Sequence, residues 1–246
     1  MKTLMCNPQL FEKDLSGRVY IVTGANSGSG LATMVQLVRQ GAHVVAGCRR
    51  LDAGQEAIAG LAKESGSAEV IELDLSSLDS VRQFAAAFLA KHDRLDGLVN
   101  NAGVMNTPEG KTVDGFETQF GTNHLGHFLL TELLLGTLKA SAPSRIVCVS
   151  SVVHVGTKKQ AGEIQLDDLN YENRPYSGTE AYIQSKLANV LHALNLSQRP
   201  QGTGVTAVSV HPGWIRSNLA KHTMPLWIQN VAMKPFSGML GLLSYE

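Results

Sequence analysis

Tyr182 and Lys186 lie four residues apart in a stretch with helical periodicity, downstream of the run Thr23-Gly24-Ala25-Asn26-Ser27-Gly28-Ser29-Gly30. Positions i and i+4 of a helix share a face, so the ammonium can sit beside whatever the phenol addresses. A phenol of pKa about 10 is a poor base at neutral pH, but a cation ~4 to 5 Å away at an effective dielectric near 20 is worth roughly 3 to 4 kcal/mol, or two to three pKa units. The spacing therefore predicts that Tyr182 titrates near working pH and exchanges a proton with an alcohol or carbonyl as hydride moves. Taken singly, Tyr182 also reads as a core aromatic with a wet tip and Lys186 as a snorkelling surface residue, so the surrounding residues must carry the inference.

Two serines, Ser150 and Ser151, follow an apolar strand-like run, and a hydroxyl there could hydrogen-bond a developing alkoxide. Successive strand side chains face opposite ways, so at most one of them points into the site. Asn123, on a long helical stretch, could hold a water linking the lysine to solvent; alone, it reads as an ordinary polar helix residue.

Val19-Tyr20-Ile21-Val22 runs straight into the glycine-rich segment, and Leu31, Ala32, Met34, Val35 and Leu37 continue at helical spacing. In a strand-turn-helix, Gly24, Gly28 and Gly30 let the backbone approach a pyrophosphate, whose charge meets amides at the helix N-terminus. An acidic residue after the second strand would suit a ribose 2′-hydroxyl; here the strand runs into Arg49 and Arg50, which favours a 2′-phosphate and hence NADP(H) over NAD(H). With Asp52 nearby, the alternative is a pair of solvated surface arginines. Asp74, after the third strand, reads equally as an adenine contact or as a helix N-cap.

The elements that must position these groups are legible as apolar runs alternating with helix-period segments. Strands are expected at Val19 to Thr23, His43 to Cys48, Glu69 to Leu73, Gly97 to Asn100, Arg145 to Ser150 and Gly204 to Val210. Helices are expected at Gly28 to Gln40, Ala53 to Lys63, Leu78 to Lys91, Thr118 to Leu138 and Thr179 to Gln198. Continuously apolar strands such as Ile146-Val147-Cys148-Val149 fit a parallel sheet covered on both faces, giving an α/β, Rossmann-type, doubly wound fold in one domain over 1–246. Residues 1–16 read as an N-terminal extension and 214–246 as a partial substrate lid. No strand is evident after Val210, so the C-terminal edge of the domain is expected to be incomplete.

Composition narrows the partners. Basic and acidic residues balance at 21 each with no dense Lys/Arg stripe, which argues against nucleic acid. Cys6, Cys48 and Cys148 read as reduced thiols, and residues 1–16 lack the apolar core of a signal peptide, so the expected location is cytoplasmic. Met224 to Leu243 is mostly apolar but broken by Pro225, Lys234 and Pro235, which suggests a lid or a surface that touches a membrane without spanning it. His124 and His127 lack an acidic or cysteine partner at ligand spacing and read as helix-packing residues, with no metal expected; the sequon at Asn195 reads as silent.

Thr23-Gly24-x-x-x-Gly28-x-Gly30, Asn100-Asn101-Ala102-Gly103, Asn123, Ser151, Tyr182-x-x-x-Lys186 and Pro212-Gly213 together resemble the ordered motif set of the short-chain dehydrogenase/reductase family, over about Gly17 to Ser217. Asn123 to Thr131, Ser185 to Asn189 and Cys48-Arg49 are similar to its retinol dehydrogenase-like branch, which generally prefers NADP(H). The resemblance implies Tyr182 as acid/base, Lys186 as its pKa-lowering partner and a ligand of the nicotinamide ribose, Ser151 as the group that orients the substrate oxygen, and Asn123 as the end of a proton relay. It implies cofactor contacts at Gly24, Ser27, Ser29, Gly30, Arg49, Asp74, Leu75, Asn101, Pro212 and Ile215. The substrate it implies is a small lipophilic alcohol, aldehyde or ketone, and a homodimer is an expected assembly. Ser29 departs from the pattern, which usually has Ile or Leu there, and Val152 to Ala181 is a long insert expected to form a loop beside the substrate pocket. Two rivals are carried forward: a catalytically silent NADP(H)-binding regulator or scaffold, and an enzyme resembling protochlorophyllide reductases, which carry a cysteine where this chain has Val99 and Asn100.

Overall fold

The computed structural model describes residues 7–157, 161–199 and 202–213. Six strands, β1 (Val19–Thr23), β2 (His43–Cys48), β3 (Ser67–Glu72), β4 (Gly97–Asn100), β5 (Ser144–Val149) and β6 (Val205–Val210), form one sheet in the order β3-β2-β1-β4-β5-β6. Every pairing is parallel, so each connection must cross over a face, and helices supply the crossovers. The order reverses between β1 and β4, and beyond the carboxyl ends of those strands a ligand can enter without meeting a crossing connection. This is the Rossmann-type sheet expected.

Helices α1 (Gly28–Arg39) and α2 (Leu51–Ala59) cover one face, where Met34 and Val38 pack on Val22, Val44 and Ala46. Helix α3 (Leu78–Leu89) and two later helices cover the other, where Phe84, Phe88, Leu130, Leu134 and Leu196 close over Ile21, Val45, Leu98 and Ile146. Burial on both faces explains why the central strands read as unbroken apolar runs. The two outer strands are less covered: β3 has no fully buried residue, and most residues of β6 are exposed.

Two helices differ from expectation. The one expected at Ala53 to Lys63 starts earlier and stops earlier, because Asp52 supplies an acidic first turn and Gly60 ends it. The one expected as a continuous helix from Thr118 is α4 (Thr118–Phe120), a π-helical turn (Gly121–Leu125) and α5 (Gly126–Ala140). A single inserted residue preserves the apolar stripe closely enough that periodicity does not reveal it.

Helix α6 (Gly178–Gln198) starts at Ser177, whose hydroxyl accepts from the Glu180 amide. The preceding insert is loop with two short 3-10 turns, Val152–Val155 and Leu166–Asp168. It is pinned by polar bonds: Gln184 Nε2 donates to Tyr171 Oη at 3.1 Å, and Gln119 Nε2 to Tyr176 Oη at 3.0 Å. Gln36 of α1 and its C-cap Gln40 donate to carbonyls of Leu10, Phe11 and Lys13, which ties the N-terminal segment to that helix. None of the helices among the described residues is long and apolar enough to cross a membrane, and Met224 to Leu243 lies outside those residues.

Candidate active site

The carboxyl ends of β1 and β4 are stitched together by one hydroxyl. Thr23 is fully buried, and its Oγ1 accepts from the amides of Asn101 and Ala102, both at 2.9 Å. With both lone pairs occupied, that hydroxyl donates to His127 Nε2 at 2.8 Å, so the imidazole must carry its proton on Nδ1. Nδ1 in turn donates to the main-chain oxygen of Asn123 at 3.0 Å, inside the π-helical turn. His127 was expected merely to pack; it links the glycine-rich turn to the Asn123 segment. The contact spans 104 positions, which no local pattern reports.

Gly30 sits in that cradle because nothing larger fits. A Cβ there would lie 2.4 Å from the Gly24 oxygen and 2.6 Å from Asn101 Nδ2. Gly24 has φ of 67°, in the left-handed region that favours glycine. Ser27 precedes α1 without capping it through its side chain, and Ser29 Oγ donates to Asn101 Oδ1 at 2.7 Å. Asn101 Nδ2 donates to the Thr23 oxygen at 2.8 Å. The departure at Ser29 thus adds a hydrogen bond across the switch point.

The other residues expected to meet a cofactor divide by environment. Arg50 pairs with Asp52 at 3.1 Å, while Arg49 is exposed and makes no hydrogen bond or ion pair among the described residues. Asp74 does not cap α3; Ser77 does, accepting from Ser80 N, while Asp74 Oδ1 accepts from Ser76 N at 2.9 Å and Ser76 Oγ at 2.6 Å in a local turn. The Leu75 side chain is buried in the core beside α5, leaving only its backbone at this edge. Pro212 follows β6 at the same edge, and Ile215 lies outside the described residues.

Tyr182, Lys186, Ser151 and Asn123 do converge. Ser150 is turned away, its buried Oγ donating to the Lys186 main-chain oxygen at 2.7 Å, which leaves Ser151 as the serine whose hydroxyl acts on the Tyr182 phenol. The Lys186 ammonium is buried, donates to the Val149 oxygen at 3.1 Å and lies 5.5 Å from the Tyr182 ring centroid. Asn123 Oδ1 accepts from Val104 N at 2.8 Å, and its Nδ2 donates to the Val104 oxygen at 2.9 Å and to Ser185 Oγ at 3.0 Å. Gly103 leaves room for both groups: a Cβ there would lie 3.0 Å from Asn123 Oδ1 and 3.5 Å from Lys186 Nζ.

The electrostatics correct one expectation. Burial pushes the Tyr182 phenol up to about 12, opposed only by the Ser151 hydroxyl, so Tyr182 does not titrate near working pH in this state. The reason is that i, i+4 spacing reports proximity and not desolvation; the ammonium lies beside the ring, and burial pulls Lys186 itself down to about 8. Among the described residues an open cleft of about 430 Å³ lies beside the first turn of α6, lined by Asn106, Thr107, Pro108, Glu109, Tyr176 and Thr179. The insert contributes Tyr176 to that wall, and none of Ser151, Tyr182, Lys186 and Asn123 lines it.

Burial also lowers His127 to about 3 and His192 to about 4, so both stay neutral in the folded protein. Unfolded, each regains a pKa near 6.5, and the unfolded state takes up protons first as pH falls. Stability attributable to these groups is therefore lost below about pH 6.5, by roughly 1.4 kcal/mol per pH unit per histidine until the folded-state pKa is reached. Urea midpoints should fall between pH 7 and pH 5, and His192→Gln should flatten that slope; an unchanged slope would contradict the assignment for His192.

The short chain dehydrogenase family model matches residues 18–164. Human retinol dehydrogenase 13 is 49% identical over 211 residues, covering 85% of this chain and 62% of that protein. Human retinol dehydrogenase 14 is 48% identical over 231 residues, covering 87% and 67%. The chain thus spans about two thirds of the length of these relatives. Among solved structures, an uncharacterised protein from Mycobacterium paratuberculosis is 43% identical with a TM-score of 0.72, over 82% of this chain and 70% of that one. A Pseudomonas aeruginosa RhlG/NADP active-site complex is 27% identical with a TM-score of 0.68, over 85% and 77%. With the motif residues gathered at one edge of a Rossmann-type sheet, the chain belongs to the short-chain dehydrogenase family, in its retinol dehydrogenase-like branch.

Proposed function

We propose that this chain is an NADP(H)-dependent oxidoreductase that moves hydride between nicotinamide and a lipophilic alcohol, aldehyde or ketone, with Tyr182 as acid/base. The observation that carries the reading is the meeting of Tyr182, Ser151 and Lys186 beside the Gly24–Gly30 cradle, with a cleft against the same helix. The described residues suit a dinucleotide: Gly24, Ser27, Ser29 and Gly30 would line the pyrophosphate, Asp74, the Leu75 backbone and Asn101 the adenosine half, and Lys186, Tyr182 and Pro212 the nicotinamide half. When bound, the nicotinamide supplies or takes the hydride. The protein supplies the proton, from Tyr182 Oη, and holds the substrate oxygen with Ser151.

The lipophilic substrate class rests on the relatives' names, retinol being an apolar primary alcohol. A second copy of the chain has a surface on which to dock, since Phe128 and Leu133 of α5 and Leu191 and Leu194 of α6 are exposed. A cytoplasmic setting is supported by the buried, unpaired thiols Cys48 and Cys148. The test is loss of NADPH absorbance with a panel of apolar aldehydes and ketones. Tight NADPH binding with no turnover in either direction would favour the silent regulator instead.

Arg49 makes the cofactor preference testable. A guanidinium after β2 with no partner among the described residues can bind a 2′-phosphate with charge-assisted hydrogen bonds worth roughly 1.5 to 3 kcal/mol, or about 10- to 100-fold in affinity. Arg49→Asp should lose that much NADPH affinity or more, with little change for NADH. A wild type that prefers NADH would overturn the assignment.

A further inference from the structure

At the opposite end of the sheet from the cradle, the register of two strands gathers three side chains with metal-ligating chemistry. His43 opens β2 and pairs with Ser67 of β3, and Glu69 lies two residues further on the same face. His92 follows the end of α3, its amide bonded to the Phe88 oxygen and its ring stacked on Phe88 at 4.9 Å between centroids. Both imidazoles aim Nε2 at one carboxylate oxygen: His92 Nε2 is 2.6 Å and His43 Nε2 3.7 Å from Glu69 Oε1. All three donor atoms lie within 4.8 Å of one another.

The orphaned atom is informative. His43 Nε2 is buried and has no hydrogen-bond partner, while Nδ1 of the same ring contacts Ser67 Oγ at 2.7 Å. If Nδ1 donates to that hydroxyl, Nε2 presents a lone pair toward a carboxylate oxygen. Two acceptors then face each other, an arrangement that a cation between them relieves. An imidazole whose far nitrogen is fixed by an oxygen is also the usual orientation of a metal-bound histidine.

We propose that His43, Glu69 and His92 bind one divalent transition-metal ion of the zinc class, clamping the amino ends of β2 and β3 to the end of α3. Two imidazoles and one carboxylate are a known zinc donor set, and the imidazoles select against magnesium and calcium. Metal-donor bonds of about 2.0 to 2.1 Å in a tetrahedron put donors roughly 3.3 Å apart, a separation that the present 2.6 and 3.7 Å bracket. The Glu69 and His92 side chains are 26% and 17% exposed, which gives an ion its way in toward the buried His43 Nε2. One group opposes the ion: Lys91 Nζ holds Glu69 Oε2 at 2.8 Å. That oxygen is not the shared one, and the Lys91 side chain is 57% exposed and free to swing away. The site lies at the far end of the strands from Tyr182, so the clamp is structural.

Chelator-stripped protein is titrated with zinc chloride by calorimetry and, separately, melted with and without one equivalent of zinc. The expected result is one equivalent bound with micromolar affinity and a raised melting temperature. His92→Ala and the nearly isosteric Glu69→Gln should each weaken binding at least 10-fold and abolish the thermal shift, while His192→Gln retains both. Wild-type protein with cobalt(II) gives a readout that needs no variant, because a tetrahedral nitrogen/oxygen site produces intense visible absorption. No saturable binding at 100 equivalents, equal affinity in His92→Ala, or a cobalt spectrum like that of the hexa-aqua ion would each overturn the proposal. None of these readouts depends on catalysis, so they stand or fall apart from the proposed oxidoreductase activity.

Discussion

Tyr182→Phe should lower kcat/KM for carbonyl reduction by about 100- to 10,000-fold, the usual range for loss of a positioned proton donor, while NADPH affinity and melting temperature stay near wild type. The ring is buried and remains after substitution; what is lost is the hydroxyl on the Ser151 side of the site. With a pKa of about 12, the phenol is ionised in only ~1 molecule in 100,000 at pH 7, so it is ready as an acid and poor as a base. Reduction should therefore run faster than oxidation at neutral pH, and oxidation should climb with pH. Reduction should fall above about pH 8 as Lys186 loses its proton. Steady-state rates in both directions from pH 6 to pH 10 check this. A Tyr182→Phe enzyme within 10-fold of wild type would remove Tyr182 from the chemistry.

Much of this arrangement is legible in the chain. β1, β2 and β4 are apolar runs bounded by glycine or polar turns, and the structure keeps their ends as read. The choice between Ser150 and Ser151 follows from strand alternation together with the family motif, and the Ser150 hydrogen bond to Lys186 explains it physically. What is not legible depends on tertiary position. Periodicity cannot register the extra residue of a π-helical turn, and helical spacing cannot say that Tyr182 and Lys186 are both desolvated. The tautomer of His127 follows from an oxygen on β1, and the His43, Glu69 and His92 cluster from the register of β2 on β3. Arg49 is intermediate. Its place after β2 is readable, but only the structure shows that Asp52 neutralises Arg50 instead.

Asn123 should yield the largest stability loss of any single side chain at the site. Its amide satisfies Val104 N, the Val104 oxygen and Ser185 Oγ, and Ser185 Oγ itself donates to the Tyr182 main-chain oxygen at 2.8 Å. Asn123→Ala strands these groups in a buried setting at about 1 to 3 kcal/mol for each one left unsatisfied, so a total near 3 to 5 kcal/mol is expected. For a chain of this size that is roughly a 10 °C fall in Tm. A structural role alone would end there, and Asn123→Asp separates the two possibilities. Its carboxylate keeps the bond from Val104 N but lies across the small Gly103 site from the Lys186 ammonium. At ~6 Å and an effective dielectric near 20, that charge should raise the Lys186 pKa by roughly one to two units. The alkaline limb of carbonyl reduction should move up by the same amount, even though less enzyme folds. A limb that stays near pH 8 in Asn123→Asp would show that Asn123 holds the Val104 loop without acting on the proton chemistry of Lys186.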